Sequence, residues 1–244
     1  MTAELRCFTV HVDTGRWSGT VLTTVDLLVP RGRITAVLGG PGAGKTMVAH
    51  ALTGHLPDTA QSRGEVLIDG RIVADDGWPE LRGGTVGYIP QEGVTSFAPG
   101  KTVGKQLREL EQRHRAWTVQ QACAAAHYPE YAADLLPHEN SGGQIQRAAL
   151  AAALLPAPAV LIADSPAASL DRETAYHVWK SLRDYADSGA AVLAISNDVP
   201  MLIAGGFADR MVIMHAGRIL AGGTPAQLAE SDDAYVRALI RSGL

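Results

Sequence analysis

The run Ile34-Thr35-Ala36-Val37-Leu38-Gly39-Gly40-Pro41-Gly42-Ala43-Gly44-Lys45-Thr46 decides the fold. Its first five residues form a continuous apolar stretch, the pattern of a strand buried on both faces. The next eight fit G-x-x-x-x-G-K-[ST], and 46–52 continue with helical character. Glycines in such a loop let backbone N–H groups curl around a polyphosphate, and the helix start that follows favours an anion. Lys45 would neutralise the β- and γ-phosphates, and the Thr46 hydroxyl would sit on Mg²⁺. Gly39, Gly40, Pro41, Gly42, Ala43, Gly44, Lys45 and Thr46 are therefore the expected nucleotide-binding residues.

Working outward, Val160-Leu161-Ile162-Ala163 ends at Asp164, and Ala191-Val192-Leu193-Ala194-Ile195 ends at Ser196-Asn197. Both read as further doubly buried strands of a parallel sheet. Between them 171–187 carries Ala175, Val178, Trp179, Leu182 and Tyr185 at helical spacing. Two hairpins are predicted, one across Asp69-Gly70 and one across His215-Ala216-Gly217. The segment 91–140 is different, with helical runs around 105–115 and 119–126 and few strand signals. The expected architecture is α/β: a parallel core sheet with an antiparallel β subdomain and a helical insert. Residues 1–90 and 141–244 form the core with its β subdomain, and 91–140 form the insert, within one domain of 1–244.

The 244 residues are 46% apolar and 19% charged, too apolar for a disordered chain. A net charge of −4, without a block of like charges, argues against a nucleic-acid partner. Cys7 and Cys123 form no CxxC pair or disulfide framework, which suits a reducing compartment. The start of the chain has no signal-peptide core. The run 148–163, broken by Pro156 and Pro158, is too short to cross a bilayer. Any membrane part would come from other chains.

Asp164 closes a predicted parallel strand at the edge where such sheets bind ligands, so it can hold the same Mg²⁺ through water. A helix-capping Asp is the alternative. Ser141-Gly142-Gly143-Gln144 reads locally as a capping box. A hydroxyl and two glycine N–H groups at an open helix start also offer a second phosphate-binding surface. One chain needs two such surfaces only if two chains share nucleotides.

In this order the phosphate loop, Ser141-Gly142-Gly143-Gln144, the strand ending at Asp164 and Ser169-Leu170-Asp171 resemble an ABC-type ATPase subunit, over nearly the whole chain. The resemblance implies the P-loop NTPase fold of that type. It makes Gln91, after Tyr88-Ile89-Pro90, the glutamine that touches Mg²⁺ and senses the transport subunit. It makes 141–144 the signature, with Asn140 where Leu is usual, and 169–171 the D-loop. It further implies a head-to-tail dimer in which each ATP lies between one subunit's phosphate loop and the other's signature. Within the family, 91–99, Thr102-Val103-Gly104-Lys105-Gln106-Leu107 and Tyr235-Val236-Arg237-Ala238-Leu239 are similar to ATPases of dipeptide, oligopeptide and nickel importers. The sequence given ends soon after Leu239, which leans toward the nickel or metallophore kind.

Two residues depart from that pattern. After Asp164 the family usually has Glu, which polarises the attacking water; here stands Ser165. After Ile195-Ser196 it usually has His, on the γ-phosphate; here stands Asn197. A Ser hydroxyl cannot accept a proton near neutral pH, and a positioned base contributes roughly 10²–10⁴ in rate. The chain's own site is thus expected to bind MgATP and turn it over slowly, while its signature serves a different, competent ATPase. Expected partners are that second ATPase, two integral-membrane permeases and, indirectly, an extracytoplasmic substrate-binding protein, with this chain cytoplasmic and peripheral on the inner face of the membrane. An ATP-binding regulatory or scaffold subunit is the alternative. The family often stacks adenine on an aromatic upstream of the loop, where Trp17 is the best-placed candidate and a core or exposed Trp is the other reading. Cys123 and His127, four apart on an expected helix, read as a packed face rather than a metal site.

Overall fold

The structure, a computed structural model, describes residues 1–168 and 170–241. Ser169, the first residue of the expected D-loop, lies outside them. In chain order the elements are β1 (Ala3–Asp13), β2 (Ser18–Val29), β3 (Arg33–Leu38), α1 (Lys45–Thr53), β4 (Ala60–Ile68), β5 (Arg71–Ile72), α2 (Trp78–Leu81) and β6 (Val86–Ile89). There follow α3 (Val103–His114), α4 (Val119–Ala125), α5 (Gly142–Leu154), β7 (Val160–Asp164), α6 (Arg172–Asp187) and β8 (Ala191–Ile195). The chain closes with α7 (Val199–Ala204), β9 (Arg210–His215), β10 (Arg218–Gly223), α8 (Pro225–Ala229) and α9 (Ala234–Arg241).

Six strands form the central sheet in the order β10-β9-β3-β8-β7-β6, parallel except for β10 against β9. Its strands bury both faces with a period of two. Ile34, Ala36, Leu38, Leu161, Ala163, Val192 and Ala194 pack on one side, with α5 and α6. Val37, Val160, Ile162, Ala191, Leu193 and Ile195 pack on the other. There Val48, Ala49, Ala51 and Leu52 of α1 are clamped beneath the antiparallel sheet β2-β1-β4-β5. Covering both faces explains why these strands read as unbroken apolar runs rather than alternating ones.

The helices of 103–125 rest on α5 through Val103, Leu107 and Ala122. A capping box at Thr118 and Gln121 starts α4. That helix stops at Ala125, and His127 lies beyond it with φ 51°. Cys123 and His127 therefore do not share a helix face. Cys123 packs against the core, where burial raises its thiol pKa to about 11. The His127 ring instead lies 4.6 Å from that of His177. Among the described residues no cluster of three or more His, Cys, Asp or Glu side chains could hold a metal ion.

The start of β3 is pinned by a polar knot. Asp209 accepts from Ile34 N–H (2.8 Å), Arg33 Nη1 (2.7 Å) and Arg183 Nη1 (2.5 Å). Burial pushes its carboxyl pKa up. The Ile34 N–H and the two guanidinium groups outweigh that, and it stays below the usual carboxylate value. Removing one partner of a partly buried pair leaves the others uncompensated. Asp209→Ala is expected to cost about 2 kcal/mol by urea denaturation at pH 7. A depressed native pKa stabilises above the unfolded value and loses that contribution as pH falls through the native one. The difference from wild type should therefore shrink as pH falls below about 4.

Candidate functional site

The phosphate loop joins β3 to α1, and its glycines answer to backbone geometry. Gly39 (φ 151°) passes so close to β9 that a Cβ would lie 2.3 Å from Met214 O. Gly44 (φ 96°) would place a Cβ 2.8 Å from Leu22 Cδ2 and 3.0 Å from Val21 O. Helix α1 then begins with no capping side chain and no acidic residue in its first turn. Such a start leaves its positive end to a ligand. A cavity of 270 Å³ opens here, lined by Gly42, Ala43, Gly44, Lys45, Thr46 and His50 among others.

Lys45 folds back over the loop, its Nζ donating to Gly39 O (2.7 Å) and Gly40 O (2.9 Å). Burial lowers its pKa, and the charge of Asp164 opposes that. Asp164 is itself 1% exposed. Its Oδ1 accepts from Ser165 Oγ at 3.3 Å, and its Oδ2 is buried without a hydrogen-bond partner. A carboxylate oxygen in that state is costly unless something positive or donating completes it. A Mg²⁺ ion with its water shell fits that need, and the uncapped α1 start fits the phosphates.

Ser165 and Asn197 line one cavity of 740 Å³ off the carboxyl ends of β7 and β8, with Ala168, Arg172, Ser196 and Asp198. Ser165 is held at φ 52° while its N–H donates to Ile195 O at 3.0 Å. With its amide nitrogen as donor, Asn197 reaches Gly39 O (3.1 Å) and Ser196 O (3.2 Å). Asp198 is the carboxylate among the described residues of that lining, and its Oδ1 caps α7 by accepting from Met201 N–H. No uncommitted base stands there.

Gln91 is exposed just after β6. Its neighbours are fixed from α5, where buried Gln146 donates to Pro90 O (3.1 Å) and accepts from Gly93 N–H (2.9 Å). The same helix starts at Ser141, whose Oγ accepts from Gln144 N–H while Gln144 Oε1 accepts from Ser141 N–H. Asn140, where an apolar residue is usual, is buried and accepts from the Tyr128 hydroxyl at 2.9 Å. Arg147 ties the first turn to the helical segment, donating to Gly143 O (3.2 Å) and His127 O (2.8 Å). Leu170 lies against Gly143, whose Cβ would be 3.1 Å from it. Asp171 caps α6 through Thr174. A Cβ at Gly142 would meet nothing. None of 141–144 lines the cavity of the phosphate loop.

Trp17 stands on the β1–β2 turn, 54% exposed, with its ring over Gly19. It does not line the loop's cavity, whereas Val21 does. Three features escaped sequence reasoning. His50 on α1 lines both that cavity and a 560 Å³ groove shared with His55, Tyr88, Thr95 and Leu110. Gln146 carries no motif. The C-terminal segment braces the loop, since Gly217 N–H donates to Ala43 O (3.1 Å) and Gly40 N–H donates to the Tyr235 hydroxyl (3.1 Å). In the sequence those last positions stood only as the glycine of a predicted hairpin turn and the first residue of the 235–239 run, with no role toward the loop.

Comparison with known proteins follows from this geometry. A sequence model described as ABC transporter matches residues 22–168. The oligopeptide transport ATP-binding protein OppD of Mycobacterium tuberculosis is 32% identical over 217 residues, 82% of this chain and 35% of that protein. The probable peptide ABC transporter ATP-binding protein y4tR of Sinorhizobium fredii is 33% identical, over 89% of this chain and 69% of its own length. The Fe(3+) ions import ATP-binding protein FbpC 1 of Rhodococcus jostii is 33% identical, over 89% and 62%. The chain spans about a third of the length of the mycobacterial relatives. In fold it is similar to the ATP-binding cassette MJ0796 bound to ADP and Pi, with a TM-score of 0.79 and 24% identity over 91% of this chain and 97% of that one.

The glycines predict a contrast. Gly44→Ala puts a methyl group into Leu22 from a left-handed backbone, and should cost about 2 kcal/mol in urea unfolding. Gly142→Ala meets open space at a helix start and should change stability by less than about 0.5 kcal/mol.

Proposed function

This chain belongs to the ABC transporter family, and we propose that it is the ATP-binding subunit of an importer of peptide, nickel or metallophore type. One observation carries the nucleotide reading. A buried Asp164 oxygen without a partner stands at the strand edge beside an uncapped helix start that holds Lys45. In this reading Lys45 exchanges the Gly39 and Gly40 carbonyls for phosphate oxygens. Thr46, Asp164 and Gln91 hold the metal. Bound Mg²⁺ neutralises phosphate charge. Trp17 is the exposed aromatic available to an adenine.

The chain's own site is poor at hydrolysis. Ser165 donates to Asp164 rather than accepting a proton, and Asn197 is engaged by Gly39 O. Neither supplies the base whose absence costs roughly 10²–10⁴ in rate. The signature at Ser141, Gly142, Gly143 and Gln144 serves a partner ATPase that carries the missing Glu and His. The open space at Gly142 and the absence of 141–144 from the lining of the chain's own phosphate-loop cavity support a surface facing another subunit. The 560 Å³ groove beside Tyr88 and Thr95 receives a permease helix, with Pro90, the residue before Gln91, in its lining and His50 linking it to the nucleotide. No helix among the described residues is long and apolar enough to cross a membrane. The reading places the chain at the cytoplasmic face of the membrane, held there by two permeases and served indirectly by an extracytoplasmic binding protein. A non-hydrolysing regulatory subunit is the second reading, and Ser165 with Asn197 is what favours it.

Two measurements test this. ATPase assays on the dimerised chain should show Ser165→Glu at least about tenfold faster than wild type; equal rates contradict the reading. In the assembled heterodimer, Gly142→Phe should depress turnover more than Lys45→Ala. The reverse order contradicts the asymmetric arrangement.

A further inference from the structure

The loop's first turn is the part that glycine makes loosest, with Gly39, Gly40 and Gly42 in four residues. Five hydrogen bonds hold it, one of them the turn's own, from Ala43 N–H to Gly40 O (3.3 Å). Two come from Lys45 to Gly39 O and Gly40 O, one from Asn197 to Gly39 O, and one runs from Gly40 N–H to the Tyr235 hydroxyl. The backbone at Tyr235 is placed firmly, and the residue is 36% exposed. Asp233 accepts from the N–H groups of Tyr235 (2.8 Å) and Val236 (3.0 Å), and Val236 and Ile240 bury the inner face of α9. The His215 ring lies 5.2 Å from the tyrosine ring. When Lys45 turns to a phosphate, it gives up both of its loop bonds. Among the described residues, Asn197 and Tyr235 are then the side chains that still hold the turn, beside its own Ala43–Gly40 bond.

We propose that Tyr235 is a positioning residue of the phosphate loop, which pre-organises Gly40 for nucleotide and couples α9 to the occupied state. The inference rests on reading 39–46 as a nucleotide site. An anchor present before binding reduces the conformational freedom lost on binding, so it raises affinity without touching the ligand. By linkage, nucleotide steadies the anchor in return.

The experiment compares MgATP affinity of the full chain and of Tyr235→Phe by calorimetry, with amide hydrogen exchange of 236–240 with and without MgATP. Tyr176→Phe on α6 serves as the distant control. Loss of one neutral hydrogen bond predicts about 3- to 10-fold weaker binding for Tyr235→Phe, with a melting temperature within about 2 °C of wild type. MgATP should slow exchange across 236–240 in wild type and in the control, and not in Tyr235→Phe. Equal or tighter binding by Tyr235→Phe overturns the inference, as does exchange in α9 that ignores nucleotide. If wild type binds no MgATP, the nucleotide-site reading itself falls, an outcome distinct from failure at Tyr235 alone.

Discussion

Parallel pairing of β3, β8 and β7 in one register fixes everything at the ligand edge of this protein. Val37 lies opposite Ile195, and Ile195 opposite Asp164. Ser196 N–H then donates to Val37 O, and Ser165 N–H to Ile195 O, so the three strand ends are stitched together one residue beyond the ladder. The phosphate loop, the acidic strand end and the Ser196-Asn197 corner leave the sheet side by side as a result. A slip of one residue would turn Asp164 to the opposite face and break this assembly.

That register depends on layers on both sides. Helix α1 is held between the central and antiparallel sheets, while α5 and α6 cover the opposite face. The Asp209 knot fastens β3 to α6 at the end remote from the ligand edge. Gln146 carries the same rigidity outward, because one buried amide joins the first residues after β6 to the signature helix. A shift of α5 therefore moves Pro90 and Gly93, the neighbours of Gln91. In the proposed function this is a physical route between the signature, Gln91 and the groove for a permease helix.

Much of this was legible in the residues because the signals were local. The three doubly buried strands, the Asp69-Gly70 hairpin and the capping box at Ser141 are each written within a dozen positions. The pairing of Ser165 with Asn197 was legible only through resemblance, since two positions that line one cavity lie 32 apart in sequence. Gln146, His50 and Tyr235 were not legible, because their roles come from contacts with chain far away in sequence. Helical spacing misled at His127, because α4 ends at Ala125 and the fourth position from Cys123 is itself left-handed.

In the proposed function this chain's site holds MgATP and turns it over slowly, next to a partner site that hydrolyses it fast. The direct measurement isolates the assembled transporter from its native membranes, lets it turn over radiolabelled ATP, and identifies the nucleotide that remains bound. Intact ATP is expected to remain at one site per complex and to be lost in Lys45→Ala, while ADP leaves the other site of a heterodimer. Equal hydrolysis at both sites, or no retained ATP, would contradict it.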